Sequence, residues 1–209
     1  MEIEWKDGVP VATRFGDPYY SLQDGLAETR HVFLGGNDLP GRFRDGFRIA
    51  ELGFGTGLNA LATAAAWAGP GRLAYTAFEA YPMTRQDMAR ALGAFPVEAK
   101  ALLDQWPAEQ IELPGMEIEL VFGDARLTLP GWAGQAEAWY LDGFAPARNP
   151  DLWGEDLMAE VARHTTPGGT FATYTAAGQV RRALAAAGFV VERVPGHGRK
   201  RHMTKGCLG

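Results

Sequence analysis

At 209 residues, with 46% hydrophobic and 22% charged content, the chain can bury one full hydrophobic core, which excludes a disordered, fibrous or low-complexity protein. Its 27 Gly and 13 Pro are scattered, so no linker or repeat divides it. No run approaches the roughly 18 apolar residues of a membrane span, and "MEIEWKDGVPVATRF" has no basic region followed by an apolar core, so the expectation is a soluble, cytoplasmic protein.

The single Cys207 cannot form an internal disulfide and reads as incidental. His31, His164, His197 and His202 lack metal-ligand spacing, so no metal is expected. The net charge of -5 is unevenly spread, because from Arg181 onward seven Lys and Arg face only Glu192. A basic end on an acidic body suits an anionic partner. A solvated basic tail is the bland alternative.

In chain order, "IEWKDGVPVATRF" predicts a hairpin turning at Lys6 to Gly8. "IAELGFGTG" is an apolar strand entering a glycine-rich turn, and "LNALATAAAWA" is a helix. "RLAYTAFEA" is a second strand closing on Glu79, followed by a helix over "MTRQDMARALGAF" that stops before Pro96 and a helical turn or two near 97–106. "MEIELVFGDA" is a third strand ending at Asp124, and "EAWYLDGF" a fourth ending at Asp142. Then come a helix over "DLWGEDLMAEVARH" with Asp151 as N-cap, a strand over "GGTFATYT", a helix over "AAGQVRRALAAAG" closed by Gly188, and a strand over "FVVERVPG". Alternating strands and helices from about residue 47 predict an α/β fold with a doubly wound, mainly parallel sheet. We expect a domain over 46–209 and an N-terminal extension over 1–45, a hairpin and a covering segment against the mouth of the sheet.

In "ELGFGTG", Gly53, Gly55 and Gly57 stand at two-residue spacing behind Glu51. Glycines there let the backbone turn sharply and approach a ligand, and the helix beyond offers free N–H groups. The nicotinamide fingerprint places its third glycine three residues after the second, to suit a pyrophosphate. The tighter spacing, with an acid upstream, suits a cationic ligand without phosphate. Glu79, 22 residues after Gly57, is placed to accept hydrogen bonds from ribose hydroxyls, and Asp124 lies where an adenine edge would. Each acid alone also fits a helix cap or a surface position. Together at successive strand ends they resemble the class I, Rossmann-like S-adenosylmethionine-dependent methyltransferases, and that resemblance implies S-adenosyl-L-methionine as cofactor.

Asp142, in "YLDGFAPARNPDLW", ends a strand where ligands of open α/β sheets bind. The stretches "ELGFGTGLNALAT", "LDGFAPARNPDLW", "GGTFATYTAAGQVRRAL" and "GHGRKRHM", with "YYSLQDGLAETRHVFLGGNDLPGRF" upstream, resemble the MnmC-type methyltransferase domain family over nearly the whole chain. The resemblance implies methylation of the amine of 5-aminomethyl(-2-thio)uridine at the wobble position of tRNA. Familiar members carry a fused FAD-dependent oxidase, so this chain is expected to be the stand-alone form, coupled to a separate enzyme that supplies the aminomethyl group. Methyl transfer to an amine needs an unprotonated nitrogen aligned with the methyl carbon and sulfur. A strand-end carboxylate that accepts from the amine and takes its proton does this, and we assign Asp142 to it. A turn-forming Asp before Gly143 is the alternative.

Phe144 is read either as a stacking surface for the flipped base or as a core plug. Asn149 is a weaker substrate candidate, and Trp153 reads as buried. Arg199, Lys200 and Arg201 are expected to bind phosphates of the anticodon stem-loop, with Arg181 and Arg182 extending the patch. The resemblance also suggests that "ETRHVFLGGN" covers the cofactor, with Asn37 or Tyr20 lining the site. Rival readings are a methyl- or aminopropyl-transferase for a small amine, disfavoured because the basic tail repels a cationic substrate, and a non-catalytic RNA-binding module, which has no need of four strand-end acids.

Overall fold

The computed structural model describes residues 1–20, 24–95 and 97–209. Strands β1 (Ile3–Lys6) and β2 (Val9–Ala12) form the expected hairpin. Asp7 (φ 50) and Gly8 (φ 81) both adopt left-handed backbone at its turn, the geometry that matches the twist of a two-residue hairpin. The short β3 (Asp17–Pro18) joins β2. Helix α1 (Gly25–Thr29) follows, capped by Asp24, whose Oδ1 accepts from the Ala27 N–H at 2.8 Å, and it widens into a π-helical segment, Arg30–Gly35.

The remaining elements alternate. They are β4 (Arg48–Leu52), α2 (Leu58–Ala66), β5 (Leu73–Glu79), α3 (Arg85–Ala91), α4 (Lys100–Gln105), β6 (Gln110–Leu113), β7 (Met116–Phe122), α5 (Ala125–Thr128), β8 (Ala136–Leu141), α6 (Glu155–Arg163), β9 (Thr165–Thr173), α7 (Gly178–Ala186), β10 (Phe189–Pro195) and β11 (His202–Leu208). The eight strands from β4 onward form one sheet in the order β10-β11-β9-β8-β4-β5-β7-β6. Neighbours from β9 through β7 are parallel, and β6, β10 and β11 join antiparallel. The chain winds outward from β4 through β5 to β7, then returns to β8 on the other side. Beside β4 the strand order therefore reverses, leaving a crevice beyond the strand ends where such sheets bind ligands.

Strand side chains alternate between two apolar layers. Ile49, Tyr75, Ala77, Ala138 and Tyr140 face α2, α3 and α4, while Ala50, Leu52, Phe78, Trp139 and Leu141 face α5, α6 and α7. Burial on both faces explains why these strands read as apolar runs. It also places Glu51 on the same face as Tyr75 and Tyr140, inside the protein.

Four sequence expectations change. β6 is missing from the sequence reading because "QIEL" alternates with exposed polar residues on an edge. β11 lies within the stretch taken for a basic tail, and it pairs with both β10 and β9. Asp151 does not cap the following helix. Pro150–Trp153 form a 3-10 turn, α6 begins after Gly154, and Asp151 pairs with Arg126 at 3.1 Å. Helix α3 ends at Ala91, and Pro96, its expected stop, lies outside the described residues. No described helix is long and apolar enough to cross a membrane.

Candidate active site

A cavity of about 1030 Å³ opens at the strand ends beside the switch point. Its floor is the β4–α2 loop, Gly53 to Thr56, with Glu79 from β5, Asp124 after β7 and Asp142 after β8. Tyr19, Tyr20 and Glu28 wall it from the N-terminal side, and Arg199 and Lys200 from the β10–β11 loop.

The loop conformation depends on glycine. Gly53, Gly55 and Gly57 have φ of 83, 56 and 78, a region costly for residues with a Cβ. A Cβ on Gly57 would also lie 2.7 Å from Leu102 Cδ2, and one on Gly53 would lie 3.2 Å from the Asp142 carbonyl oxygen. The loop is thus pressed against the chain that carries Asp142. Glu79 anchors it, because its Oε2 accepts from the Gly55 N–H at 2.8 Å and its Oε1 from the Tyr81 N–H at 2.7 Å. Burial raises the Glu79 carboxyl above its ordinary range, and these backbone donors partly oppose the shift.

Asp142 is half-buried at the cavity wall. Its Oδ1 accepts from the Gly143 N–H and its Oδ2 from Asn59 Nδ2, both at 2.8 Å. Burial pushes its carboxyl up to about 6, while the two N–H donors and the Lys200 charge oppose that shift and Glu28 adds to it. The same Asn59 nitrogen donates to Glu51 Oε1 at 2.6 Å, and Thr29 Oγ1 donates to Asn59 Oδ1 at 2.8 Å. Glu51 is fully buried, its Oε2 accepts from the Tyr75 hydroxyl at 2.8 Å, and it is not part of the cavity wall. Direct contact of Glu51 with a cofactor gives way to an indirect role, in which it holds Asn59 and through it Asp142. Burial, followed by the Asp142 charge, drives the Glu51 carboxyl well above its usual range. The two carboxyls resist being charged together.

The other expected site residues divide. Asp124 lines the cavity, caps α5 and holds Arg126 at 2.6 Å, which lowers its carboxyl below the ordinary range. Phe144 is in the wall, stacked on Phe15 with ring centroids 4.6 Å apart and met edge-on by Tyr19 at 5.1 Å. Asn149 lines the rim and Trp153 is buried behind it, its Nε1 donating to the Phe144 carbonyl. Tyr20 is in the wall. Asn37 is not, being fully buried with its amide donating to the Phe33 and Trp139 carbonyls.

The basic triad does not act as a unit. Arg199 is exposed at the rim and Arg201 is exposed outside the wall. Lys200 is exposed too, but its Nζ lies 2.7 Å from Glu28 Oε1 and 3.8 Å from the centre of the Tyr174 ring. Arg181 and Arg182, on α7, are not in the wall either.

Sequence reasoning did not reach Asn59, Thr29, Tyr75, Glu28 or Tyr174. Asn59 had a signal, as the one amide in the otherwise Ala- and Leu-rich first turns of α2. The others are ordinary residues whose importance comes from being packed together.

The residues fit a sulfonium nucleoside. The glycine loop gives close backbone approach, and Glu79 offers carboxylate lone pairs at the second strand end. The Tyr19 hydroxyl, from the cavity wall, is buried without a hydrogen-bond partner among the described residues. A buried unpaired hydroxyl is costly, and a polar ligand would satisfy it.

Comparison with known proteins gives the family. Residues 95–209 match the model of a family described as S-adenosyl-L-methionine-dependent methyltransferase. The tRNA 5-methylaminomethyl-2-thiouridine biosynthesis bifunctional protein MnmC of Caulobacter sp. (strain K31) is 47% identical over 219 residues, which cover 94% of this chain and 36% of that protein. The protein of the same name from Aeromonas hydrophila is 45% identical, covering 98% of this chain and 35% of its own length. The chain thus spans about a third of the length of these curated relatives. Among solved structures, MNMC2 from Aquifex aeolicus superposes with a TM-score of 0.82 at 23% identity, over 99% of this chain and 70% of that one. That likeness shows the fold, a Rossmann-like methyltransferase sheet.

Proposed function

Because this chain belongs to the S-adenosyl-L-methionine-dependent methyltransferase family, we propose that it methylates the amine of 5-aminomethyl(-2-thio)uridine at the wobble position of tRNA. The observation that carries this reading is Asp142, a strand-end carboxylate fixed by Asn59 and Gly143 and open to the cavity. The names of the relatives, which cover this chain almost completely, supply the substrate class.

When bound, S-adenosylmethionine supplies an electrophilic methyl group on a positively charged sulfur. The protein must hold the amine with its lone pair free. A primary alkylamine is mostly protonated at neutral pH, and its ammonium form cannot attack. With its carboxyl near 6, Asp142 is ionised at neutral pH yet more basic than an ordinary carboxylate. It accepts a hydrogen bond from the amine and takes or relays its proton. Asn59 and Gly143 fix both oxygens, so the amine is aligned by a carboxylate that does not rotate.

Gly53, Gly55, Gly57, Glu79 and Asp124 form the cofactor side of this reading, and Phe144 and Asn149 the nucleoside side. Phe144, held between Phe15 and Tyr19, is the apolar wall against which the base packs. Arg199 and Arg201 contact RNA phosphates of the anticodon stem-loop. We read residues 1–45 as an extension covering the ligand and residues 46–209 as the methyltransferase domain. A tRNA substrate places the protein in the cytoplasm, and a separate activity exposes the primary amine.

The test is transfer of labelled methyl from S-adenosylmethionine to tRNA bearing aminomethyluridine, alongside tRNA bearing carboxymethylaminomethyluridine and alongside spermidine. Label confined to the aminomethyl tRNA supports the proposal. Label in spermidine alone moves the enzyme to small amines, and label in none removes the assignment.

A further inference from the structure

Lys200, its side chain 42% exposed at the wall of the cavity, presents an alkylammonium to a site that we read as built for one. Its Nζ lies 3.8 Å from the centre of the Tyr174 ring, within the range of a cation–π contact. Glu28 Oε1 lies 2.7 Å from it, and the Glu28 side chain is only 10% exposed. The Tyr174 hydroxyl donates to the Gly143 carbonyl at 2.8 Å, so the ring is tied to the residue next to Asp142. An aromatic face, a buried carboxylate and a neighbouring Asp142 are the components that recognise a protonated primary or secondary amine.

We propose that Glu28 and the Tyr174 face form the ammonium-binding site for the substrate amine, and that Lys200 occupies this site until the substrate displaces it. The inference rests on the amine substrate of the preceding section and deepens it. The amine docks as its ammonium against Glu28 and Tyr174, beside the Asp142 carboxylate that receives its proton. The displaced Lys200, on the β10–β11 loop beside Arg199, is released toward the rim, where RNA phosphates provide its counter-charge. A free small amine brings no phosphates and must compete with a tethered lysine. Lys200 is therefore a specificity-determining residue that favours amines carried on RNA.

The test is calorimetric binding of two nucleosides, 5-aminomethyluridine and its uncharged counterpart 5-hydroxymethyluridine, to the full chain. Lys200→Ala should tighten the amine by roughly tenfold, the worth of one cation–π and ion-pair contact, and leave the alcohol unchanged. Adding Glu28→Gln or Tyr174→Leu to Lys200→Ala should remove the gain. Lys200→Gln, which keeps part of the stem and a polar end without the charge, gives the same direction and guards against a local collapse. Amine binding that is unchanged, weaker or unmeasurable in folded Lys200→Ala and Lys200→Gln overturns the proposal, as does equal tightening of the alcohol. Because binding is read without methyl transfer, the two readings separate. Amine-selective tightening with no tRNA methylation keeps the ammonium site and removes the RNA substrate, and tRNA methylation without tightening does the reverse.

Discussion

Glu51 and Asp142 share one donor: the side-chain nitrogen of Asn59 lies 2.6 Å from Glu51 Oε1 and 2.8 Å from Asp142 Oδ2. A fully buried acid and a cavity-facing acid are thereby fixed relative to each other. The buried one sets the position of the amide, and the amide sets the rotamer of the exposed one.

Removing Asn59 should cost both stability and alignment. Asn59→Ala leaves Glu51, which is fully buried, with the Tyr75 hydroxyl as its one remaining side-chain donor among the described residues, a loss of about 1–3 kcal/mol measurable by urea unfolding. The Asn59 hydrogen bond also lowers the Asp142 carboxyl, so its loss moves the acid limb of kcat/KM to higher pH. An unmoved limb with unchanged stability would separate Asn59 from Asp142.

The raised carboxyl of Asp142 makes a prediction about stability. Its folded value of about 6 lies above the ordinary 3.8, so folding binds the proton more tightly than the unfolded chain does. The ionised group therefore opposes folding. The cost is absent below pH 4, develops as pH rises from about 4 through 6, and is complete above it, on the order of 3 kcal/mol at most and less with solvent in the cavity. Asp142→Asn should raise Tm at pH 8 relative to the parent, and the difference should vanish toward pH 4. A difference that grows on acidification would contradict the assignment.

Gly55→Asp tests the cofactor loop. The position has φ 56, a Cβ there would meet Tyr19 Cδ1 at 3.2 Å, and the new carboxylate would stand near Glu79, which accepts from the Gly55 N–H. Strain and like charge together should abolish S-adenosylmethionine binding by calorimetry. Retained affinity would take the loop out of the cofactor site.

The exposed arginines test the RNA contact. Arg199→Ala with Arg201→Ala should weaken tRNA binding and reduce its salt slope by about 0.7 to 0.9 for each lost phosphate contact. Affinity for the free nucleoside should be unaffected. An unchanged salt slope would remove both residues from the interface.

Much of the sheet was legible because its strands are apolar on both faces and stop abruptly at acids or glycines: β5 closes at Glu79 as read, and the hairpin turn at Asp7–Gly8 follows from its dipeptide. Two strands, β6 at one edge and β11 between β10 and β9, were not legible. β6 is short and half polar, and β11 follows directly on a run of cations and shows no clean alternation, its buried residues Met203 and Thr204 being adjacent. At the site, the sequence announced residues whose type is unusual at a strand end, such as Asp142. It could not announce which acids turn inward. Glu51 and Glu79 look alike in sequence and face the same side of the sheet, but Glu51 lies level with Ala77 inside the sheet whereas Glu79, two residues further on, closes β5 at the cavity floor. Lys200 likewise sits between two arginines in sequence, yet it alone of the three contacts Glu28 and Tyr174, both distant in the chain.

The most direct measurement is methyl transfer to aminomethyl tRNA by Asp142→Asn, with cofactor affinity measured on the same preparation. A proton-accepting Asp142 requires a loss of at least about 100-fold in kcat with S-adenosylmethionine affinity essentially unchanged. Near-normal turnover by Asp142→Asn would show that the amine loses its proton elsewhere.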